Sequence, residues 1–207
     1  MNPDLSHIHR FDPGGEGVYP PLLLLHGTGG NENDLLSLGR MIAPHSALLS
    51  PRGKVLENGM PRFFRRFAEG VFDIADLRLR TSELADFIVA AGKQYGIDKP
   101  IALGYSNGAN IAAAVLQLRP SVLAGGILLR AMLAIDDRPD NELSGKPILV
   151  ISGARDSIVP LDSAKSLARL LQDAGAVVDH QVVPSGHELT EADVRIARSW
   201  LQMTVGN

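Results

Sequence analysis

The segment Leu22-Leu23-Leu24-Leu25 has no polar position, and that limits severely what it can become. Side chains on a strand alternate between two faces, so a strand apolar at every position must be covered on both. Ile101-Ala102-Leu103, Ile127-Leu128-Leu129 and Ile148-Leu149-Val150-Ile151 repeat the pattern. Strands are expected near residues 22–26, 46–50, 100–105, 124–130, 147–152 and 177–183, with helices near 33–43, 76–95, 107–119, 161–174 and 190–203. In the second helix Leu77, Leu84, Phe87, Ile88 and Ala91 share a face, and Gly96 supplies the stop. The last begins with Thr190 and Asp193 in a capping arrangement. Such alternation predicts an α/β fold, with a doubly wound, mostly parallel sheet flanked by helices. The glycine- and proline-rich opening up to Pro21 has room for one antiparallel edge strand. No repeat, low-complexity tract or linker interrupts the chain, and 207 residues suit a single domain, 1–207.

Composition removes several functional classes. A hydrophobic fraction of 45% with 21% charged residues is ordinary for a soluble globular protein. A formal net charge of −3 argues against a nucleic-acid partner, which usually demands a basic surface. No run approaches the roughly 18 apolar residues of a membrane span. The opening Met1-Asn2-Pro3-Asp4-Leu5-Ser6-His7 lacks the cationic and apolar regions of a signal peptide, so a cytoplasmic location is expected. Without cysteine there is neither disulfide nor thiol chemistry.

The stretch Gly104-Tyr105-Ser106-Asn107-Gly108 lies between the apolar run Pro100–Leu103 and the helix-forming run Ala109–Leu118, which Pro120 ends. A serine on a sharp strand-to-helix turn, with glycine two residues away on each side, is a nucleophile elbow. The turn strains the serine backbone and leaves no space for side chains at Gly104 or Gly108. A serine hydroxyl is a poor nucleophile at neutral pH, so it needs a base and a carboxylate to orient that base. The run Pro147–Gly153 leads into Asp156, and the run Val177–Val183 leads into His187. Both positions follow strands, and the order Ser106, Asp156, His187 is that of α/β-hydrolases. The remaining requirement is an oxyanion hole. Its expected donors are the backbone amides of Thr28, in the glycine-rich loop His26-Gly27-Thr28-Gly29-Gly30-Asn31, and of Asn107. Asn107 also opens a helix whose dipole favours developing negative charge.

With HGTGGN, GYSNG, SGARDSIVP and SGHEL in view, the chain resembles the phospholipase/carboxylesterase branch of the α/β-hydrolase superfamily from Leu22 to Leu201. The stretches Ser50–Gly53 and Glu57–Arg66 resemble a narrower subgroup of small hydrolases associated with hydroquinone and catechol detoxification. The resemblance implies an α/β-hydrolase fold that cleaves carboxylic esters through an acyl-enzyme. It also implies a homodimer with neither metal nor organic cofactor. The chain leaves no room for a large lid domain, so a shallow, open pocket suited to small or short-chain esters is expected. A lysophospholipase or acyl-protein thioesterase is the near alternative. A catalytically inert ligand-binding protein on the same fold is the distant one, against which the intact Ser106, Asp156 and His187 speak.

Other residues compete for these roles. Asp162 suits the first turn of the following helix, and Asp179 lies inside a strand. His26 belongs to the oxyanion loop and is expected to hold its shape, whereas His45 and His180 suit surface positions. His7 and His9 lack a third metal ligand nearby. Between Gly53 and Asp73 no helix or strand period is evident, yet Phe63, Phe64, Phe67 and Phe72 gather there. Such a loop is expected to form a flap, with Phe63, Phe64 and Phe67 either walling an acyl or aromatic pocket or closing the core beneath. Arg62, Arg65 and Arg66 read as a solvated face. Arg130 ends an apolar run where active-site groups gather, which suggests a place at the pocket paired with Glu69 or Asp73, or else an ordinary ion pair elsewhere.

Overall fold

A computed structural model describes residues 5–15, 19–137 and 143–205. In chain order, β1 (His9–Asp12) precedes β2 (Leu22–Leu25), α1 (Leu36–Ile42) and β3 (Leu48–Pro51). Two small hairpins follow, β4 (Val55–Glu57) with β5 (Met60–Arg62) and β6 (Arg66–Ala68) with β7 (Val71–Phe72). Then come α2 (Ile74–Tyr95), β8 (Ile101–Tyr105), α3 (Asn107–Leu118), a 3-10 turn at Pro120–Val122 and β9 (Gly125–Leu129). The chain closes with β10 (Pro147–Gly153), α4 (Leu161–Asp173), β11 (Val177–Val183) and α5 (Glu191–Val205).

Seven of these strands form one sheet in the order β1-β3-β2-β8-β9-β10-β11. All neighbours are parallel except β1, which pairs antiparallel with β3 at one edge. The four leucines of β2 are all fully buried because the sheet is covered twice. Leu23 and Leu25 face the side built by α2, α3 and α4, while Leu22 and Leu24 face α1 and α5. Helix α3 is buried almost throughout, and its alanines allow it to lie close to the sheet. Asp73 caps α2 through the Asp76 amide, and Gly96 ends it in the left-handed conformation at φ 68°. Among the described residues no helix is long and apolar enough to cross a membrane.

Residues 53–73 depart from the expected unpatterned loop. Asn58 and Gly59, at φ 51° and 82°, make the two-residue turn of the β4–β5 hairpin. An Asn-Gly pair favours that turn strongly. The strands beside it are only three residues long, too short to show a period.

After β2 the chain builds β3 on one side and then crosses to place β8 on the other. Strand order therefore reverses between β2 and β8, and the crevice at their carboxyl ends is where ligands bind in open α/β sheets. Thr28 follows β2 and Ser106 follows β8.

Candidate active site

Ser106 sits between β8 and α3 with φ 53° and ψ −115°, a conformation costly for any residue with a side chain. The two glycines explain how the turn is accommodated. A Cβ on Gly108 would lie 2.0 Å from the Leu25 carbonyl oxygen, and one on Gly104 would lie 2.6 Å from that of Gly108. The Ser106 amide donates to Leu129 O at 2.9 Å, so β9 helps to hold the strained turn.

The structure brings Ser106, His187 and Asp156 together although 81 residues separate the first pair and 31 the second. His187 Nε2 lies 3.0 Å from Ser106 Oγ, and His187 Nδ1 lies 2.8 Å from Asp156 Oδ2. Burial pushes the Asp156 carboxyl up, but hydrogen bonds from the Val159 amide, His187 and the Ile158 amide together hold it below its ordinary value. As an ionised acceptor it receives a hydrogen bond from His187 Nδ1–H, which leaves Nε2 bare to accept from the serine hydroxyl. Of the competing acids, Asp162 lies exposed in the first turn of α4, and Asp179 accepts from Gln181 on β11.

Thr28 and Asn107 flank Ser106, and the flap grips both. Arg62 Nη1 donates to Thr28 Oγ1 at 2.6 Å, and the Phe63 amide donates to Asn107 Oδ1 at 2.8 Å. Pro61 O accepts from the Gly29 amide at 2.9 Å. Three consecutive flap residues thus hold both loops expected to supply oxyanion donors. The His26 ring adds a fourth tie, donating from Nδ1 to Gly27 O and accepting the Gly53 amide at Nε2. Acceptance at Nε2 requires neutral imidazole, and burial holds the His26 pKa below its ordinary value.

The cavity beside Ser106 measures about 20 Å³ and is bordered by Phe72, Met132 and Val159 on its apolar side and by Arg62, Arg66 and Glu69 on its polar side. Across the oxyanion loop a wider groove is lined by His26, Tyr105 and Leu189.

Several expected pocket residues lie elsewhere. Phe63 and Phe64 are buried in the core, where Phe63 packs against His26 and Phe64 against Phe72, while Phe67 is 76% exposed. Phe72 is the flap phenylalanine that borders the cavity, because α2 begins just after it and fixes its position. Arg62 is no solvated residue: it is 2% exposed and paired with Glu57. Arg130 is fully buried and does not pair with Glu69 or Asp73, which bind Arg66 and Arg65 instead. Its partner is Asp193, at 2.7 Å. Sheet order brings the two together, since β9 lies two strands from β11 and opens towards the turn before α5. Among the remaining histidines, His45 is exposed, His180 is half-buried against Ser152, and His9 bonds Tyr95.

Known proteins resemble this chain over nearly their whole length. The phospholipase/carboxylesterase family model matches residues 14–205. A Bacillus subtilis (strain 168) protein named "Putative hydrolase MhqD" is 47% identical over 186 residues, covering 89% of this chain and 93% of that protein. The crystal structure of the Bacillus cereus carboxylesterase superposes with a TM-score of 0.93 at 43% identity, covering 97% of this chain and 95% of that one. A carboxylesterase from Mesorhizobium loti gives 0.90 at 35% identity, with 96% of each chain covered. A family match across all but the ends, on a fold that superposes this closely, places the chain in the phospholipase/carboxylesterase family of α/β-hydrolases, as an esterase-type hydrolase.

Proposed function

We propose that the protein hydrolyses small or short-chain carboxylic esters through an acyl-enzyme. Ser106 is the nucleophile, His187 the base, Asp156 its orienter, and the amides of Thr28 and Asn107 the oxyanion hole. The observation that carries this reading is His187, whose two ring nitrogens lie 3.0 Å from a strained serine hydroxyl and 2.8 Å from a carboxylate.

In the first half-reaction Ser106 Oγ bonds to the ester carbonyl carbon as its proton passes to His187 Nε2. Asp156 stabilises the imidazolium, and the two amides take the charge on the carbonyl oxygen. The bond to the alkoxy oxygen then breaks, and the alcohol leaves with the proton from Nε2. Water repeats these steps on the acyl-serine, releasing the acid and restoring Oγ–H. Residues 1–207 act here as one catalytic domain, and the family resemblance implies a homodimer.

The size of the cavity sets the acyl preference. About 20 Å³ lies far below the ~300–1,000 Å³ of pockets for drug-sized ligands and leaves no enclosed length for a fatty chain. Across p-nitrophenyl esters, kcat/KM is expected to fall as the acyl chain grows beyond a few carbons, and a rise towards long chains would refute the size argument. A fluorophosphonate probe is expected to label Ser106 stoichiometrically, and S106A to abolish both labelling and steady-state turnover. Substantial hydrolysis by S106A would overturn the mechanism.

A further inference from the structure

We propose that Arg130 is the positioning residue for the general base, clamping the His187 turn against the sheet; this deepens, and rests on, the reading of His187 as base. Arg130 lies one residue beyond β9, at φ 56°, with its guanidinium completely buried. Nε donates to Gly186 O at 3.1 Å, and Nη2 donates to Glu188 O at 2.9 Å and to Ser185 Oγ at 3.0 Å. Nη1 donates to Ile151 O at 3.3 Å, on the neighbouring strand. The carbonyl between the first two, His187 O, accepts from Tyr105 OH at 3.1 Å. Three successive peptide carbonyls, 186 to 188, are therefore held from below, two of them by one side chain.

Asp193 completes the clamp. Its two carboxylate oxygens take Arg130 Nη1 and Nη2 at 2.7 and 3.0 Å. The same carboxylate accepts the amide and hydroxyl of Thr190 at 2.7 and 2.8 Å, closing the N-terminus of α5. One ion pair thus joins the ends of β9 and β10 to both sides of the histidine turn. Being charge-neutral as a pair, it acts on His187 chiefly through position. Lysine cannot replace it, since an ammonium lacks the planar fork that serves a bidentate carboxylate and two separated carbonyls together.

The experiment is steady-state kinetics on R130K, normalised to sites titrated with a fluorophosphonate. Misplacing a reacting group by about 1 Å can cost ~10²-fold in rate. R130K is accordingly expected to lower kcat per titrated site by ~10- to 100-fold, with KM within about twofold and the pH midpoint of kcat/KM unmoved. A purely structural role would reduce the number of titratable sites and leave kcat per site intact, which would overturn the proposal. So would a shifted pH midpoint, because it would mean an electrostatic role. Ser185→Ala removes one acceptor from the cradle without unpairing a charge. It carries the same test if R130K does not fold, with a fall of about threefold per site expected and no fall refuting the clamp. If the wild-type serine is not labelled, the mechanism itself fails, separately from the clamp.

Discussion

The two sides of the site are each braced by a buried arginine, yet the braces differ in kind. On the base side Arg130 is fully buried, paired with an equally buried Asp193, and anchored in the central sheet. On the oxyanion side Arg62 belongs to a three-residue strand, and its partner Glu57 is 28% exposed. Burial and the neighbouring Arg66 pull the Arg62 guanidinium below its ordinary pKa, against the opposing pull of Glu57. The hairpins that carry this second brace expose Leu56, Phe67 and Val71 at their tips. The difference shows that one catalytic geometry can be held by the core on one side and by an appended ribbon on the other. The base side should therefore be the more rigid of the two.

The largest expected effect tests the base side. D156N should leave the fold intact but lower kcat by about 10⁴-fold, since an amide does not enforce the required histidine tautomer; a loss under tenfold would remove Asp156 from the relay. Next comes the oxyanion brace. R62M should free the Thr28 hydroxyl and lower kcat by ~10²-fold, the scale of one lost oxyanion donor, with little change in KM. If R62M costs nothing, the flap is not what holds that loop. Amide hydrogen exchange sharpens the contrast without mutation. Amides of residues 55–68 should exchange well before those of Asp193 and Val194, and equal protection would erase the distinction between core and ribbon.

The smallest effect is acid lability from two buried histidines. Buried His26 and His7 both have folded-state pKa values below the ordinary 6.5, His7 at about 4. For each, burial is the leading cause, and for His7 the nearby Lys54 adds to it. Between the folded and unfolded values the unfolded chain binds the proton more readily. The contribution of each is therefore complete above about pH 6.5 and is lost as the pH falls through the folded-state value, which for His7 is about 4. The His7 shift corresponds to about 3 kcal/mol at most. Urea midpoints from pH 7 to 4 should fall for the wild type and fall less for His7→Phe; identical curves would contradict the assignment.

Much of this was legible in the residues because it depended on local order. Uniformly apolar runs gave the buried strands, and glycines around Ser106 gave the elbow. Asp156 follows such a run, and His187 follows the strand Val177–Val183, whose ends are apolar although Asp179, His180 and Gln181 interrupt it. The capping pair Thr190 and Asp193 was also visible, but only as a helix start. Its second role was hidden because Arg130 and Asp193 stand 63 residues apart and meet only once β9, β10 and β11 lie side by side. The flap failed to read for a different reason. Its strands are too short for alternation to register, and its phenylalanines looked alike although Phe64 is buried, Phe67 is exposed and Phe72 borders the cavity.

The backbone of Ser106 favours a residue without a side chain. At φ 53° and ψ −115° glycine would rest more easily than serine. S106G is thus expected to melt at a higher temperature than the wild type, so with Ser106 as the proposed nucleophile, heat resistance and turnover pull against each other at a single residue.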